Sequence, residues 1–113
     1  MPDKCLFCRI VSGEIPADIV AEDEEAIVFR DINPQAPSHL VVIPRRHVGS
    51  LDDADEATDL GSLMRLAAEV ARDEGIADSG YRVVVNTNEN GGQTVRHLHL
   101  HILGGRPMTW PPG

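Results

Sequence analysis

The sequence predicts an α+β fold, with an antiparallel five-stranded sheet, one short helix and one long helix. Short runs rich in β-branched residues follow one another in the first half of the chain instead of alternating with helices. One long segment with apolar residues at helical spacing comes after the third of these runs. Strands grouped in hairpins are typical of antiparallel sheets, whereas strict alternation with helices would indicate a parallel sheet.

The first half of the chain is predicted to hold the short helix and three strands. Cys5–Ser12 carries apolar residues at helical spacing and precedes Gly13, which predicts a helix with a glycine C-cap that covers a sheet edge. The three predicted strands, bounded by acidic or proline-containing turns, are Ile19–Ala21, Ala26–Phe29 and Leu40–Ile43.

The second half is predicted to hold the long helix and two more strands. The helix spans about residues 55–74, because acids fill its first turn and Gly75 follows its last. The strands are Tyr81–Asn86 and His97–Leu103, joined by a polar loop over residues 87–94. A chain of 113 residues supports one hydrophobic core, so we predict a single domain over residues 1–113.

The acidic composition limits the classes of partner. With a formal net charge of −8, the chain lacks the clustered cations that bind nucleic-acid polymers, although a small anion at one local site is compatible with it. Met1–Cys5 has no apolar leader segment, and no stretch is long enough to cross a bilayer. We therefore expect a cytoplasmic protein without a membrane partner.

Three histidines alternate with apolar residues near the end of the chain. On a strand, His97, His99 and His101 share one face. They could line the wet side of the strand or ligate a metal, but the outer two lie ~13 Å apart at ~3.3 Å per residue, which disfavours one ion bound by all three. The third interpretation is nucleophilic catalysis at phosphorus, which a neutral imidazole can perform near neutral pH.

The catalytic interpretation gives each histidine a role. His99, in the middle, is the expected nucleophile, since one ring nitrogen can attack while a partner holds the other. His101, two residues on and on the same face, is placed to protonate the leaving group. His97, on the other side, is expected to orient the nucleophile.

The segment His97–Leu103 resembles the histidine-triad signature, in which three histidines alternate with apolar residues. Further stretches look like the Hint branch of that family, namely Gly13–Pro16, Asp31–Pro37, Val42–Pro44, Gly91–Gln93, Gly104–Arg106 and Trp110–Gly113. The resemblance therefore covers nearly the whole chain.

The resemblance implies a purine nucleoside phosphoramidase, which cleaves P–N bonds of adenosine 5'-phosphoramidates through a nucleotidyl-histidine intermediate on His99. Aminoacyl-adenylates are further candidate substrates, and no cofactor is required for catalysis. The implied nucleotide-binding residues are Phe29, Asp31, Ile32, Asn86, Gly92, Gln93, Thr94, His99, His101 and, from the partner subunit, Trp110. Of these, Asp31 is expected to hold the ribose hydroxyls. Asn86 and residues 92–94 are expected around the α-phosphate, where backbone amides can cradle an anion.

Three residues depart from the pattern of the Hint branch or bear on its specificity. Thr94 stands where the branch has serine and keeps the hydroxyl group. Arg96 precedes the triad in place of an aromatic or small residue. Arg30 lies beside Asp31, where the family lines the base or ribose pocket, so the base preference stays open. For both arginines the alternative is a solvated side chain.

The chain has two cysteines, Cys5 and Cys8, at the start of the first predicted helix. By themselves they are compatible with redox chemistry, zinc binding or simple burial. Redox activity is disfavoured because the motif does not follow a strand in a βαβ unit. The resemblance implies that His47 and His97 join them in a structural zinc site.

The resemblance also implies a homodimer, in which the two sheets pair, the long helices pack and the Trp110 tail crosses toward the partner's active site. Two other functions stay open. One is a nucleotide-binding scaffold that regulates a protein partner, and the other is a dinucleotide polyphosphate hydrolase of the fragile-histidine-triad branch. His39, just before the third predicted strand, is expected to lie outside the site.

Overall fold

The computed structural model of the chain describes residues 5–113. The strands are β1 (Ile19–Glu22), β2 (Ala26–Arg30), β3 (Ser38–Pro44), β4 (Tyr81–Val84) and β5 (Leu100–Gly104). The α-helices are α1 (Leu6–Val11), α2 (Leu60–Asp73) and the one-turn α3 (Asn88–Gly91), and a 3-10 turn spans Leu51–Asp53. Within the described range, no helix is both long and apolar enough to span a membrane.

The five strands form one sheet in the order β1-β2-β3-β5-β4, and every neighbouring pair is antiparallel. The predicted fold class is thereby confirmed. β3 lies in the middle, next to β5, while β4 and β1 form the two edges. This order brings the third predicted strand directly against the segment that carries the triad.

The two faces of the sheet are covered by different helices. The α2 face includes Val28, Val42, Leu98, Leu100 and Ile102 from the sheet side, packed on Leu63, Ala67 and Val70 of α2. On the other face, Phe7 and Ile10 of α1 pack on Ile27 and Phe29 of β2 and on Val41 and Ile43 of β3. The prediction that α1 covers a sheet edge is therefore wrong, because its apolar side covers the face that α2 leaves open.

The long helix begins about five residues later than predicted. The Asp55 carboxylate accepts the backbone N–H of Ala57, which holds this stretch in a turn instead of a helix. Asp59 is the N-cap of α2, and its carboxylate accepts the N–H of Ser62 at 3.0 Å. The acidic run therefore builds a turn and a helix cap.

Two further boundaries differ from the prediction. β5 begins only at Leu100, because the N–H of His97 donates to Val95 and the N–H of Leu98 donates to Val48, outside the strand ladder. β4 ends at Val84. The loop predicted over residues 87–94 contains α3. Its C-cap residue, Gly92, has a φ of 83°, a backbone conformation that favours glycine.

Candidate active site

His99 is held just before β5 by a hydrogen bond to the main chain. Its Nδ1 lies 2.7 Å from the carbonyl oxygen of His97. A carbonyl oxygen only accepts, so Nδ1 carries the proton and Nε2 keeps its lone pair. His99 is 4% exposed and His97 is fully buried, so these two histidines do not form the wet side of a strand. The geometry leaves one ring nitrogen of His99 free to act as a nucleophile.

Phe7 of α1 packs against the rings of His97 and His99, on the face of the sheet that α1 covers. Its ring centroid lies 5.9 Å from that of His97 and 5.1 Å from that of His99, both edge to face. This contact restricts rotation of the His99 ring and gives one side of the site an apolar wall. Phe7 was predicted only as part of the first helix, since nothing in the sequence shows which face of the sheet that helix covers.

His101 is connected to a hydrogen-bonded chain that runs through His39. The N–H of Gln35 donates to His39 Nδ1 at 3.0 Å, and His39 Nε2 lies 2.9 Å from His101 Nδ1. Since His39 Nδ1 accepts, His39 Nε2 carries a proton and donates it, which leaves His101 protonated on Nε2 in the neutral state. Asp31 Oδ2 lies 3.4 Å from the same His39 nitrogen. The expectation that His39 lies outside the site is therefore wrong.

Burial keeps these two imidazoles neutral. It lowers the pKa of His101 to about 4, with repulsion from His99 and His39 acting in the same direction and the charge of Asp31 opposing it. Burial also lowers the pKa of His39, against the attraction of Asp31. At neutral pH the chain from Gln35 to His101 thus consists of uncharged rings whose tautomers are fixed by their partners.

A cavity of about 250 Å³ opens beside the triad, between α1, the end of β2 and the segment before β5. It is lined mainly by apolar side chains of α1 and of the residues that follow it. Among the predicted nucleotide-binding residues, the lining includes Phe29, Asp31, Ile32, Thr94, His99 and His101. An apolar cavity with a few convergent polar groups is the common form of a small-molecule site.

Four predicted nucleotide-binding residues, Asn86, Gly92, Gln93 and Trp110, do not line this cavity. Gly92 and Gln93 donate their backbone N–H groups to carbonyls of α3. The Gln93 side-chain amide donates to Gly49 and Val95 and accepts from Asn88. The helix α3, which the sequence did not predict, uses these backbone amides, and the expected role of residues 92–94 at the α-phosphate stays a prediction.

Both arginines that depart from the branch form ion pairs. The Arg30 guanidinium donates to both carboxylate oxygens of Glu74 at 2.6 and 3.1 Å, which raises the pKa of Arg30 and lowers that of Glu74. Arg96 donates to Asn88 at 2.7 Å and to Asp53 at 2.8 Å. Neither arginine is a simply solvated side chain. Arg30 lines the cavity, while its guanidinium is paired with Glu74, the C-cap residue of α2.

The two cysteines meet two histidines at the start of α1. The ligand atoms of Cys5, Cys8, His47 and His97 all lie within 4.8 Å of one another. Cys8 Sγ is 3.2 Å from His47 Nδ1, and Cys5 Sγ is 3.4 Å from His97 Nδ1. His97 Nε2 donates to the carbonyl of Pro44 at 2.8 Å, so its Nδ1 lone pair faces the sulfurs. Two thiols and two imidazoles in this arrangement fit a tetrahedral zinc ion.

The thiol chemistry at this cluster disfavours redox catalysis. Burial, together with the neighbouring Cys5, raises the pKa of the Cys8 thiol to about 11. A reactive cysteine needs an accessible thiolate near neutral pH, which a thiol with so high a pKa does not supply. Metal binding or burial therefore remain as interpretations of the cysteine pair.

Comparisons with known proteins agree with this geometry. The family model of the HIT domain matches residues 12–108. The chain belongs to the histidine-triad (HIT) family. It is 46% identical over 110 residues to the purine nucleoside phosphoramidase of Escherichia coli K12, covering 96% of this chain and 92% of that protein. It is 47% identical over 115 residues to an uncharacterized HIT-like protein of Synechococcus elongatus, which covers 100% of both chains.

Solved structures of HIT proteins have the same fold. A HIT family hydrolase from Legionella pneumophila superposes with a TM-score of 0.94 at 50% identity, covering 97% of this chain and all of that one. A histidine triad protein from Clostridium difficile has a TM-score of 0.88 at 41% identity, covering 93% of each chain. The predicted resemblance to the Hint branch is confirmed, and the chain is a hydrolase of the HIT type.

Proposed function

We propose that the chain hydrolyses the P–N bond of purine nucleoside 5'-phosphoramidates through a nucleotidyl intermediate on His99. The observation that carries this proposal is the 2.7 Å hydrogen bond from His99 Nδ1 to the carbonyl of His97, in a residue that lines the cavity. It leaves Nε2 as the nucleophilic atom. The name of the E. coli relative, purine nucleoside phosphoramidase, supports the choice of substrate.

In the first half of the reaction, His99 Nε2 attacks the α-phosphorus and forms a new N–P bond. The P–N bond to the leaving amine breaks, and its electron pair stays on the amine nitrogen. His101, neutral at rest, first takes up a proton from solvent, which the negative charge of the bound phosphate favours, and then gives that proton to the amine nitrogen. While His101 is protonated, Asp31 can accept the hydrogen bond from His39 Nε2, from which its Oδ2 lies 3.4 Å.

In the second half, a water oxygen attacks phosphorus and the N–P bond to His99 breaks, with its electron pair returning to the imidazole. His101, now neutral, takes the proton of that water and later releases it to solvent. AMP leaves, and both rings are again in the resting state. The reaction uses only nucleotide, water and these side chains, so the proposal requires no cofactor for catalysis.

The nucleotide is expected to place its sugar at the end of β2 and its phosphate beside the triad. Asp31 Oδ1 accepts the N–H of Asn33 at 2.8 Å, and a carboxylate has further lone pairs for two ribose hydroxyls. Phe29 and Ile32 line the cavity and supply apolar surface for the base, and the side chain of Ile32 is fully exposed. Thr94 is the loop residue that faces the cavity and the proposed phosphate.

The test is release of AMP from a fluorogenic adenosine phosphoramidate by the wild type and by His99→Ala, with AMP binding measured in parallel. We expect the variant to bind AMP and to lose turnover, and intact-protein mass spectrometry of quenched wild type to show an adenylyl adduct. Wild type that binds AMP without turnover would favour the regulatory scaffold. If AMP is released faster from a dinucleotide polyphosphate than from the phosphoramidate, the result would favour a dinucleotide polyphosphate hydrolase. Equal turnover by wild type and His99→Ala would show that His99 is not the nucleophile.

The cysteine–histidine cluster is proposed to hold a structural zinc ion through Cys5, Cys8, His47 and His97. Bound zinc would fix the N-terminus of α1 to the segment before β5. Elemental analysis of purified protein tests this, with the Cys5→Ser/Cys8→Ser double variant as the control that should lack metal.

Both cysteines are free of disulfide bonds, which fits a reducing compartment, and we propose that the protein is cytoplasmic.

A homodimer is proposed to form along the β4 edge. Among residues 5–113, β4 pairs with β5 alone and is an edge strand, whose other side can pair with a further strand. Arg82 of β4 donates to the carbonyl of Thr109 at 2.8 Å, which holds the tail beside this edge, and Trp110 is 82% exposed. A partner that pairs with β4 would cover the indole. Sedimentation at micromolar concentration should give twice the chain mass, and a monomer would contradict the proposal.

A further inference from the structure

The proposed zinc ligands and the proposed nucleophile share structural elements. His97 contributes its imidazole to the cluster, where Nδ1 lies 3.4 Å from Cys5 Sγ and 3.5 Å from Cys8 Sγ. The backbone carbonyl of the same residue accepts the hydrogen bond that fixes His99 at 2.7 Å. A change in the position of His97 therefore acts on both groups.

A second connection runs through the first helix. Cys5 is the N-cap of α1, and its sulfur accepts the N–H of Cys8 at 3.4 Å. Phe7, between the two cysteines, packs on the rings of His97 and His99 and lines the cavity. α1 has only six residues, so it has little helical stability of its own and depends on its contacts.

We propose that metal binding at Cys5, Cys8, His47 and His97 is energetically coupled to nucleotide binding at His99, through the backbone of His97 and the ring of Phe7. With the ion bound, α1 and His97 hold Phe7 and His99 in the geometry that receives the nucleotide. Without it, the four ligands lose their common partner and both supports of His99 loosen. The proposal rests on the proposed zinc site and on the proposed nucleotide site.

The coupling is reciprocal, which gives a test that does not depend on turnover. If zinc tightens AMP binding by some factor, AMP must tighten zinc binding by the same factor. AMP affinity is measured by calorimetry on chelator-treated protein with and without added Zn²⁺. Zinc affinity is measured by competition with a chromophoric chelator, with and without AMP. We expect equal factors of at least about fivefold.

The Phe7→Leu variant separates this coupling from the two binding events. It keeps all four proposed ligands and an apolar side chain, but it removes the ring edges that contact His97 and His99. The matched control is Val11→Ala, on the same helix and partly buried against the same core cluster, but outside the cavity lining. We expect the coupling factor to fall in Phe7→Leu, where only the route through the His97 backbone remains, and to persist in full in Val11→Ala, with zinc bound by both. An undiminished factor in Phe7→Leu would contradict the route through the ring.

Several outcomes would overturn the coupling. If zinc and AMP each bind with the same affinity whether or not the other is present, the two sites exist but are not coupled. Protein that binds AMP but no zinc would remove the zinc proposal, and protein that binds zinc but no AMP would remove the nucleotide site. Loss of the circular dichroism spectrum on chelation would mean that the ion acts on folding of the whole chain, against the local route proposed here.

Discussion

His39 Nε2 lies 2.9 Å from His101 Nδ1, so a histidine of β3 sets the tautomer of a histidine of β5. The imidazole of His39 is itself fixed by the N–H of Gln35, 3.0 Å from Nδ1. This arrangement directs the remaining N–H of His101 away from His39. It makes His39 a positioning residue for the proposed leaving-group acid.

Replacing His39 is therefore expected to reduce kcat with little change in AMP affinity. General acid catalysis contributes about 10²–10⁴-fold, and loss of the partner that orients the acid should forfeit about tenfold or more of this. His39→Leu removes the donor, whereas the amide of His39→Gln can still donate to His101. Turnover of the fluorogenic phosphoramidate should be lower in the leucine variant and partly restored in the glutamine variant. Equal loss in both, with melting temperatures lowered alike, would indicate a purely structural role.

The sequence identified the triad as a motif, but not the start of its strand at Leu100 or its surroundings, for physical reasons. The alternation of His97, His99 and His101 is a local property of the chain, and it indicated a common face before any contact was known. His39 has no such pattern; it joins the site only because β3 pairs with β5, with Val41 opposite His101. Pairing between distant strands is set by the whole sheet, which local spacing does not reveal.

The same distinction holds for the loop and for the first helix. Glycines and polar residues over positions 87–94 correctly indicated a break between strands, but the one-turn helix that occupies the amides of Gly92 and Gln93 is too short to leave a periodic signal. The helical spacing around Phe7 predicted α1 itself. The face on which α1 packs depends on where α2 lies, which no local pattern encodes.

Stability is expected to fall as the pH drops from about 6.5 toward 4. Burial lowers the pKa of His39 and lowers that of His101 to about 4, whereas histidines in an unfolded chain titrate near 6.5. Between these values the unfolded chain binds more protons than the folded one, so the free energy of unfolding decreases with falling pH. Urea midpoints at pH 7, 5.5 and 4.5, with chelator present, measure this. His101→Gln should show a shallower dependence, and parallel curves for the two proteins would contradict the assignment.

Asp31→Asn is expected to weaken recognition of the ribose more than it slows the chemical step. A carboxylate accepts from two hydroxyls more strongly than a neutral amide does, so KM should rise about tenfold, the equivalent of ~1.4 kcal/mol, with a smaller effect on kcat. The matched comparison is a 2'-deoxyadenosine phosphoramidate, which lacks one hydroxyl. Wild type should discriminate against it, and the variant should discriminate much less. If the ratio of the two substrates is unchanged in the variant, Asp31 does not hold the 2'-hydroxyl.

Arg30 is expected to act on stability instead of base preference. Its guanidinium is paired with Glu74 at 2.6 Å, and the Arg30 side chain is 42% exposed, so solvent screens part of the attraction. Arg30→Leu should lower the free energy of unfolding by about 1 kcal/mol or less, measured by urea denaturation. The ratio of kcat/KM for adenosine and guanosine phosphoramidates should stay the same. A changed ratio would mean that Arg30 takes part in recognition of the base.

Arg96 follows the loop that carries Thr94 and connects α3 to the 3-10 turn. Its guanidinium donates to Asn88 of α3 at 2.7 Å and to Asp53 of the 3-10 turn at 2.8 Å. Gly49 permits this contact, because a Cβ there would lie 2.6 Å from Asp53 Oδ2 and 3.2 Å from Arg96 Nε. Arg96→Ala should release the loop and raise KM a few-fold, since exposed pairs contribute roughly 1 kcal/mol at most. Asp53→Asn should give a similar increase in KM, and the effects of the double variant should be less than additive because the two residues share one contact.

High salt should reduce the difference in KM between wild type and Arg96→Ala, since both side chains of the ion pair are exposed to solvent. Additive effects in the double variant, or a difference that does not respond to salt, would show that Arg96 acts on the nucleotide directly instead of through the loop.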